Sequence, residues 1–163
     1  MLRRIMPFLL LLLSVLLDIS VLPLVIPRFA LMVSLMTVVT LGLLLGRTRG
    51  ALYGLIGGLL MDVLVGSQFG LTTLVYVACG YISGIAGRKY QRYLLTTLIA
   101  PLICYLLYEL VMVGYVYMVN AQVEMLIVRD ALILVLVQVA LTQLLYLLYN
   151  RILKPSWSRY AGR

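Results

Sequence analysis

Apolar residues fill this chain in stretches long enough to cross a bilayer, parted by breaks of only a few polar residues. A spanning helix needs about 20 consecutive apolar residues, with a range of about 17–25. Six stretches emerge, at residues 5–25, 30–46, 51–66, 70–87, 93–119 and 131–150. The third is short and takes in flanking residues. The fifth is long and holds Pro101, where a tilt or kink is expected. Of 163 residues, 64% are hydrophobic and 11% charged, against about 25% charged in soluble domains. That leaves too little polar surface for a water-soluble body. The expectation is an all-α integral membrane protein of six transmembrane helices. It forms a single transmembrane domain over residues 1–163 with a basic cytoplasmic tail at 151–163. Helical period adds nothing, because the runs are apolar all round.

The charges orient the bundle. With the N-terminus inside, the inner segments hold Arg3, Arg4, Arg47, Arg49, Arg88, Lys89, Arg92, Arg151, Lys154, Arg159 and Arg163, and the outer ones only Arg28 and Arg129. Eleven basic residues against two satisfy the positive-inside rule and place both ends in the cytoplasm. Arg88, Lys89, Arg92, Arg151, Lys154 and Trp157 read as inner-face anchors against anionic lipid. The net charge of +8 is thereby assigned to the membrane surface and not to nucleic acid. The start, MLRRIMPFLLLLLSVLLDISVL, has the basic and apolar parts of a secretory signal. It lacks a small-x-small cleavage site and reads as a retained first span.

Catalytic sets are missing from the sequence. It has no histidine, the commonest general base and metal ligand. Cys79 and Cys104 sit inside apolar runs and read as small polarizable core residues. No metal spacing or phosphate-cradling loop occurs. The chain is read as neither an enzyme nor a holder of a cofactor or metal.

Three acids do lie inside the spans: Asp18, Asp62 and Glu109. An acid at a helix centre costs about 2.5–3.5 kcal/mol on insertion scales, so such residues face protein or water. On this topology all three fall in the outer half, where a shared outward-open pocket is one arrangement and hydrogen bonding between helices another. Asp62 has distinctive neighbours. Gly50, Gly54, Gly58, Asp62 and Gly66 recur every four residues. Four residues turn a helix by about 400°, so this series keeps to one face. Glycines so spaced admit a second helix at close range, and Gly80, Gly84 and Gly87 offer a similar face on the next span.

The stretch GGLLMDVLVGSQFGLTTLVYVACGY resembles the rod shape-determining protein MreD family. The matching positions are Gly58, Asp62, Gly66, Ser67, Gly70 and Tyr81. The resemblance implies a multi-pass protein of the bacterial cytoplasmic (inner) membrane. It also implies a fold similar to the S-components of energy-coupling-factor transporters. The implied role is a non-enzymatic scaffold of the cell-wall elongation complex (the elongasome) in cell shape and peptidoglycan synthesis. Its partners would be an MreC-type bitopic protein and, through the complex, RodA/PBP2-type wall synthases and an MreB-type filament. Asp62, Gly54, Gly58, Gly66, Gly70, Asp18 and Glu109 would form the partner-binding or structural polar site.

A second reading makes the chain a small-molecule, vitamin-type substrate-binding subunit of a transporter. The outer-half acids would then line the pocket, and an ATP-driven partner would be required, because nothing in this chain binds nucleotide.

Overall fold

The computed structural model describes residues 2–20, 32–65, 70–90, 94–120 and 125–153. They form six α-helices in chain order: α1 (Leu2–Ser20), α2 (Val33–Leu45), α3 (Arg47–Val65), α4 (Leu71–Tyr90), α5 (Leu94–Asn120) and α6 (Met125–Leu153). Among the described residues, α3 and the Thr96–Tyr115 part of α5 are long and apolar enough to cross a membrane, with mean hydropathies of 1.3 and 1.9.

The distribution of side chains is inverted relative to a water-soluble bundle. On α3 the buried residues are Gly50, Gly54, Gly57, Gly58, Met61 and Asp62, while Leu52, Leu55, Leu59 and Val63 are exposed. Leucines likewise cover the outside of α1, α5 and α6, at Leu9, Leu13, Leu110, Leu136, Leu144 and Leu147. Lipid tails are as apolar as leucine and do not drive it inward. Close packing therefore falls to small residues.

At the centre lies α2. It touches each of the other five helices, and every residue from Ser34 to Leu43 is buried. Burial on all sides explains why its sequence carries no hydrophobic period. Its threonine hydroxyls find partners within the helix: Thr37 Oγ1 donates to the Val33 carbonyl at 2.9 Å and Thr40 Oγ1 to that of Met36 at 2.7 Å. A single residue, Gly46, joins α2 to α3. Its φ of +88° is one that side chains with a Cβ rarely adopt.

The most extensive interface joins α3 to α4. A Cβ added at Gly50 would strike the Gly80 carbonyl oxygen, one at Gly54 that of Tyr76, and one at Gly58 the Thr73 Cα. The paired positions fall along one helix as they rise along the other, as an antiparallel pair requires. The four-residue glycine ladder is therefore the seam between two helices of this chain. Gly84 meets Arg47 and Gly87 meets Leu43 in the same way, so α2, α3 and α4 form one tightly packed unit.

Helix α5 continues through Pro101. Proline has no N–H to donate, which strips the carbonyl four residues earlier of its helical partner. That carbonyl belongs to Thr97, and the Gln143 side-chain amide on α6 donates to it. Helix α6 begins at Met125. The apolar residues from Met125 onward thus belong to the last helix, and residues 121–124 lie outside the described part. Asp130 stands inside this helix, past its first turn.

Four stability outcomes follow, all measured by thermal denaturation in mild detergent. Gly54→Val should lose about 1–3 kcal/mol or more by forcing α3 and α4 apart. Leu59→Ala, on the lipid side, should stay within about 0.5 kcal/mol of the parent. Gln143→Leu should cost about 1–2 kcal/mol. Most of that loss should vanish in a Pro101→Ala background, where the restored N–H takes the Thr97 carbonyl.

Candidate functional site

The last turn of α3 carries Asp62, which faces the start of α4 and is only 4% exposed. Its Oδ2 accepts three hydrogen bonds, from Gly70 N at 3.0 Å, Thr73 N at 3.1 Å and Thr73 Oγ1 at 2.5 Å. The first N–H groups of a helix have no partner within it, and the N-terminal end bears partial positive charge. Asp62 meets both demands from a neighbouring helix. Gly70, at φ +91°, turns the chain into α4 so that its N–H points back at the carboxylate. The glycine seam explains how the short aspartate side chain reaches, since α3 and α4 are already in backbone contact.

Asp18 performs the same task on α2. Its Oδ1 accepts from Val33 N and its Oδ2 from Ser34 N, both at 2.7 Å. Two intramembrane acids thus cap two helix starts at the same end of the bundle. There the resemblance ends. Both Asp18 oxygens are engaged, whereas Asp62 Oδ1 is buried and has no hydrogen-bond partner among the described residues. Buried polar atoms nearly always have one.

Asp62 belongs to the lining of a partly open cavity of about 140 Å³, formed with Met32, Met61, Val65, Thr72, Tyr108 and Met112. By the charge rule this is the outer end of the bundle. Tyr108 packs edge-on against Tyr76, with ring centroids 6.4 Å apart at 62°. The Tyr76 hydroxyl bonds Ser34 Oγ at 2.8 Å and lies 3.9 Å from Met32 Sδ. The cavity wall is therefore tied to the central helix and, through Ser34, to Asp18.

The expected site residues separate into distinct places. Asp62 and Gly70 come together at the cavity end, and Gly54 and Gly58 form the seam beneath. Asp18 sits at the start of α2. Glu109 is half-buried on α5 and does not line the cavity, so the three acids do not converge on one pocket. Arg151 is exposed at the inner end. Gly66, Arg92, Lys154 and Trp157 lie outside the described residues, as do the side chains of Arg88 and Lys89. Tyr81, singled out by its motif, is 45% exposed on the lipid side. Sequence reasoning missed Met32, Thr72, Thr73, Tyr76 and Tyr108. A legible hint was the Thr-Thr pair just after Gly70, since threonines at a helix start commonly serve its free N–H groups. Among the described residues, no three His, Cys, Asp or Glu side chains gather to hold a metal.

The family model that matches this chain is that of the ECF-type riboflavin transporter, S component, over residues 9–154. No curated protein and no solved structure matches it. The match spans all six helices and overturns the expected membership of the MreD family. With that membership go the scaffold role, the MreC-type partner, the wall synthases and filament, and the link to cell shape and peptidoglycan synthesis. The hairpin that carried the resemblance has a physical reason of its own: a glycine seam topped by a capping aspartate packs two antiparallel helices in any bundle. What remains is the all-helical S-component architecture, in a group that is in general non-enzymatic. With its six helices and a match along nearly the whole length, this chain belongs to the ECF-type riboflavin transporter S-component family and is a multi-pass protein of the bacterial cytoplasmic membrane.

Proposed function

We propose that this chain is the substrate-binding subunit of an energy-coupling-factor transporter and takes a riboflavin-type vitamin from the outer side of the membrane. The observation that carries this reading is the family match across all six helices. The cavity at the outer end supports it: it is partly open, apolar on most sides, and lined by a few polar residues, Asp62, Thr72 and Tyr108. Ligand sites usually combine an apolar lining with a few placed polar groups.

The chain carries out no reaction of its own. It contains no G-x-x-x-x-G-K-[ST] loop, so the energy comes from a partner. That partner is an ATP-hydrolysing module with a transmembrane coupling subunit, as S-components of this type require. The charge asymmetry supports the geometry, with the cavity outside and the basic inner loops facing the ATPase side.

Binding is read directly from the quenching of flavin fluorescence as the purified chain is titrated. At about −0.3 kcal/mol per non-hydrogen atom, a ligand of about 27 such atoms reaches about −8 kcal/mol, or a Kd near 1 μM. Saturable quenching at that concentration or below, with one flavin per chain, is expected. An ATPase with a coupling subunit should co-purify from native membranes in mild detergent. No quenching up to about 100-fold above that Kd would overturn the flavin assignment.

A further inference from the structure

The cavity at the outer end offers a ligand fewer polar groups than its lining residues suggest. Asp62 Oδ2 is held by Gly70 and Thr73, and Oδ1 is buried. The Thr72 side chain bonds the same carboxylate. These two residues are spent on each other and on the start of α4. The rest of the lining is Met32, Met61, Met112, Val65 and Tyr108. The Tyr108 ring is fixed edge-on against Tyr76. Thioethers lie favourably against aromatic rings, and a further ring packs well beside a tyrosine. The volume of about 140 Å³ is close to that of a cavity of about 150 Å³ that accommodates benzene. The site is therefore an apolar slot for one aromatic ring, with the rest of a larger ligand extending through the open side.

A flavin has two ends of opposite character. Its pyrimidine-dione ring carries an N–H and two carbonyls, and its ribityl chain carries hydroxyls. Burying such groups without partners is costly. Its benzene ring carries two methyl groups and no polar atom. Resting on the reading of this chain as a flavin carrier, we propose that the slot is a specificity-determining subsite for the dimethylbenzene end of the flavin, which enters first among Met32, Met61, Met112 and Tyr108. The polar end stays toward the open side, where water reaches it. Asp62 shapes this subsite by capping α4 and gives the ligand no hydrogen bond.

Riboflavin and 7,8-didemethylriboflavin, which lacks both ring methyls, test this by fluorescence titration against the intact chain and Met112→Ala. Moving two methyls from water into an apolar slot strengthens binding about 10-fold. The intact chain should therefore bind the demethylated flavin about 10-fold more weakly than riboflavin. In Met112→Ala one wall of the slot is cut back. Riboflavin should then weaken, and the penalty for losing the methyls should fall to about 3-fold or less. Equal affinity of the intact protein for the two flavins overturns the proposal and leaves the flavin carrier standing. So does an undiminished penalty in Met112→Ala. No binding of either flavin by the intact protein overturns both readings. Should Met112→Ala fail to fold, the intact chain labelled with ¹³C at its methionine methyls gives the same decision. Nuclear Overhauser contacts from the flavin's ring methyls to methionine methyls are expected, and their absence in the saturated complex overturns the assignment.

Discussion

Backbone contact between α3 and α4 underlies most of this structure. In lipid there is no hydrophobic gain from bringing two leucine-covered helices together, so association depends on how closely backbones approach. Gly50, Gly54 and Gly58 remove the side chains that would keep α4 away, and Gly80 and Gly84 do so from the other side. The approach then brings Asp62 within reach of Gly70 and Thr73. Gly87 and Gly42 extend the same contact to α2, which becomes buried on every side. The cavity lies at the outer limit of this packed unit, just beyond the last glycine of the seam that the structure describes.

A second constraint is that backbone groups removed from water need partners. The bundle meets it with a few side chains reaching between helices. Asp18 and Asp62 serve helix starts, and Gln143 serves the carbonyl that Pro101 deprives of its N–H. Gln143 is thereby spent on the helix next to it. Asp62 is the exception among these devices, because only half of its hydrogen-bonding capacity goes to the backbone.

The correction from scaffold to transporter subunit follows from the same physics. A glycine ladder capped by an aspartate is a solution to packing two antiparallel helices, so it says little about what the bundle does. The motif is local and covers one hairpin, whereas the family match runs from residue 9 to residue 154. The hairpin's glycine and aspartate chemistry is structural: the glycines let α3 and α4 meet, and Asp62 caps the start of α4.

Helix number, the all-α class and the orientation were legible in the chain itself. Apolar length and the asymmetric placement of arginine and lysine are properties of segments, and a bilayer reads them segment by segment. The face of Asp62 was legible too, since a four-residue repeat is set by helical geometry. The occupant of that face was not, because a glycine seam admits a helix of the same chain as readily as one from a partner. Nor could the sequence tell Asp18, Asp62 and Glu109 apart. Their separate roles depend on which helix starts lie beside them, and in runs that are apolar all round no periodicity encodes neighbours. Met32, Thr72, Tyr108 and Met112 come from four places in the chain and meet only when α2, α3, α4 and α5 pack. The cavity and its mixed lining are products of that packing alone.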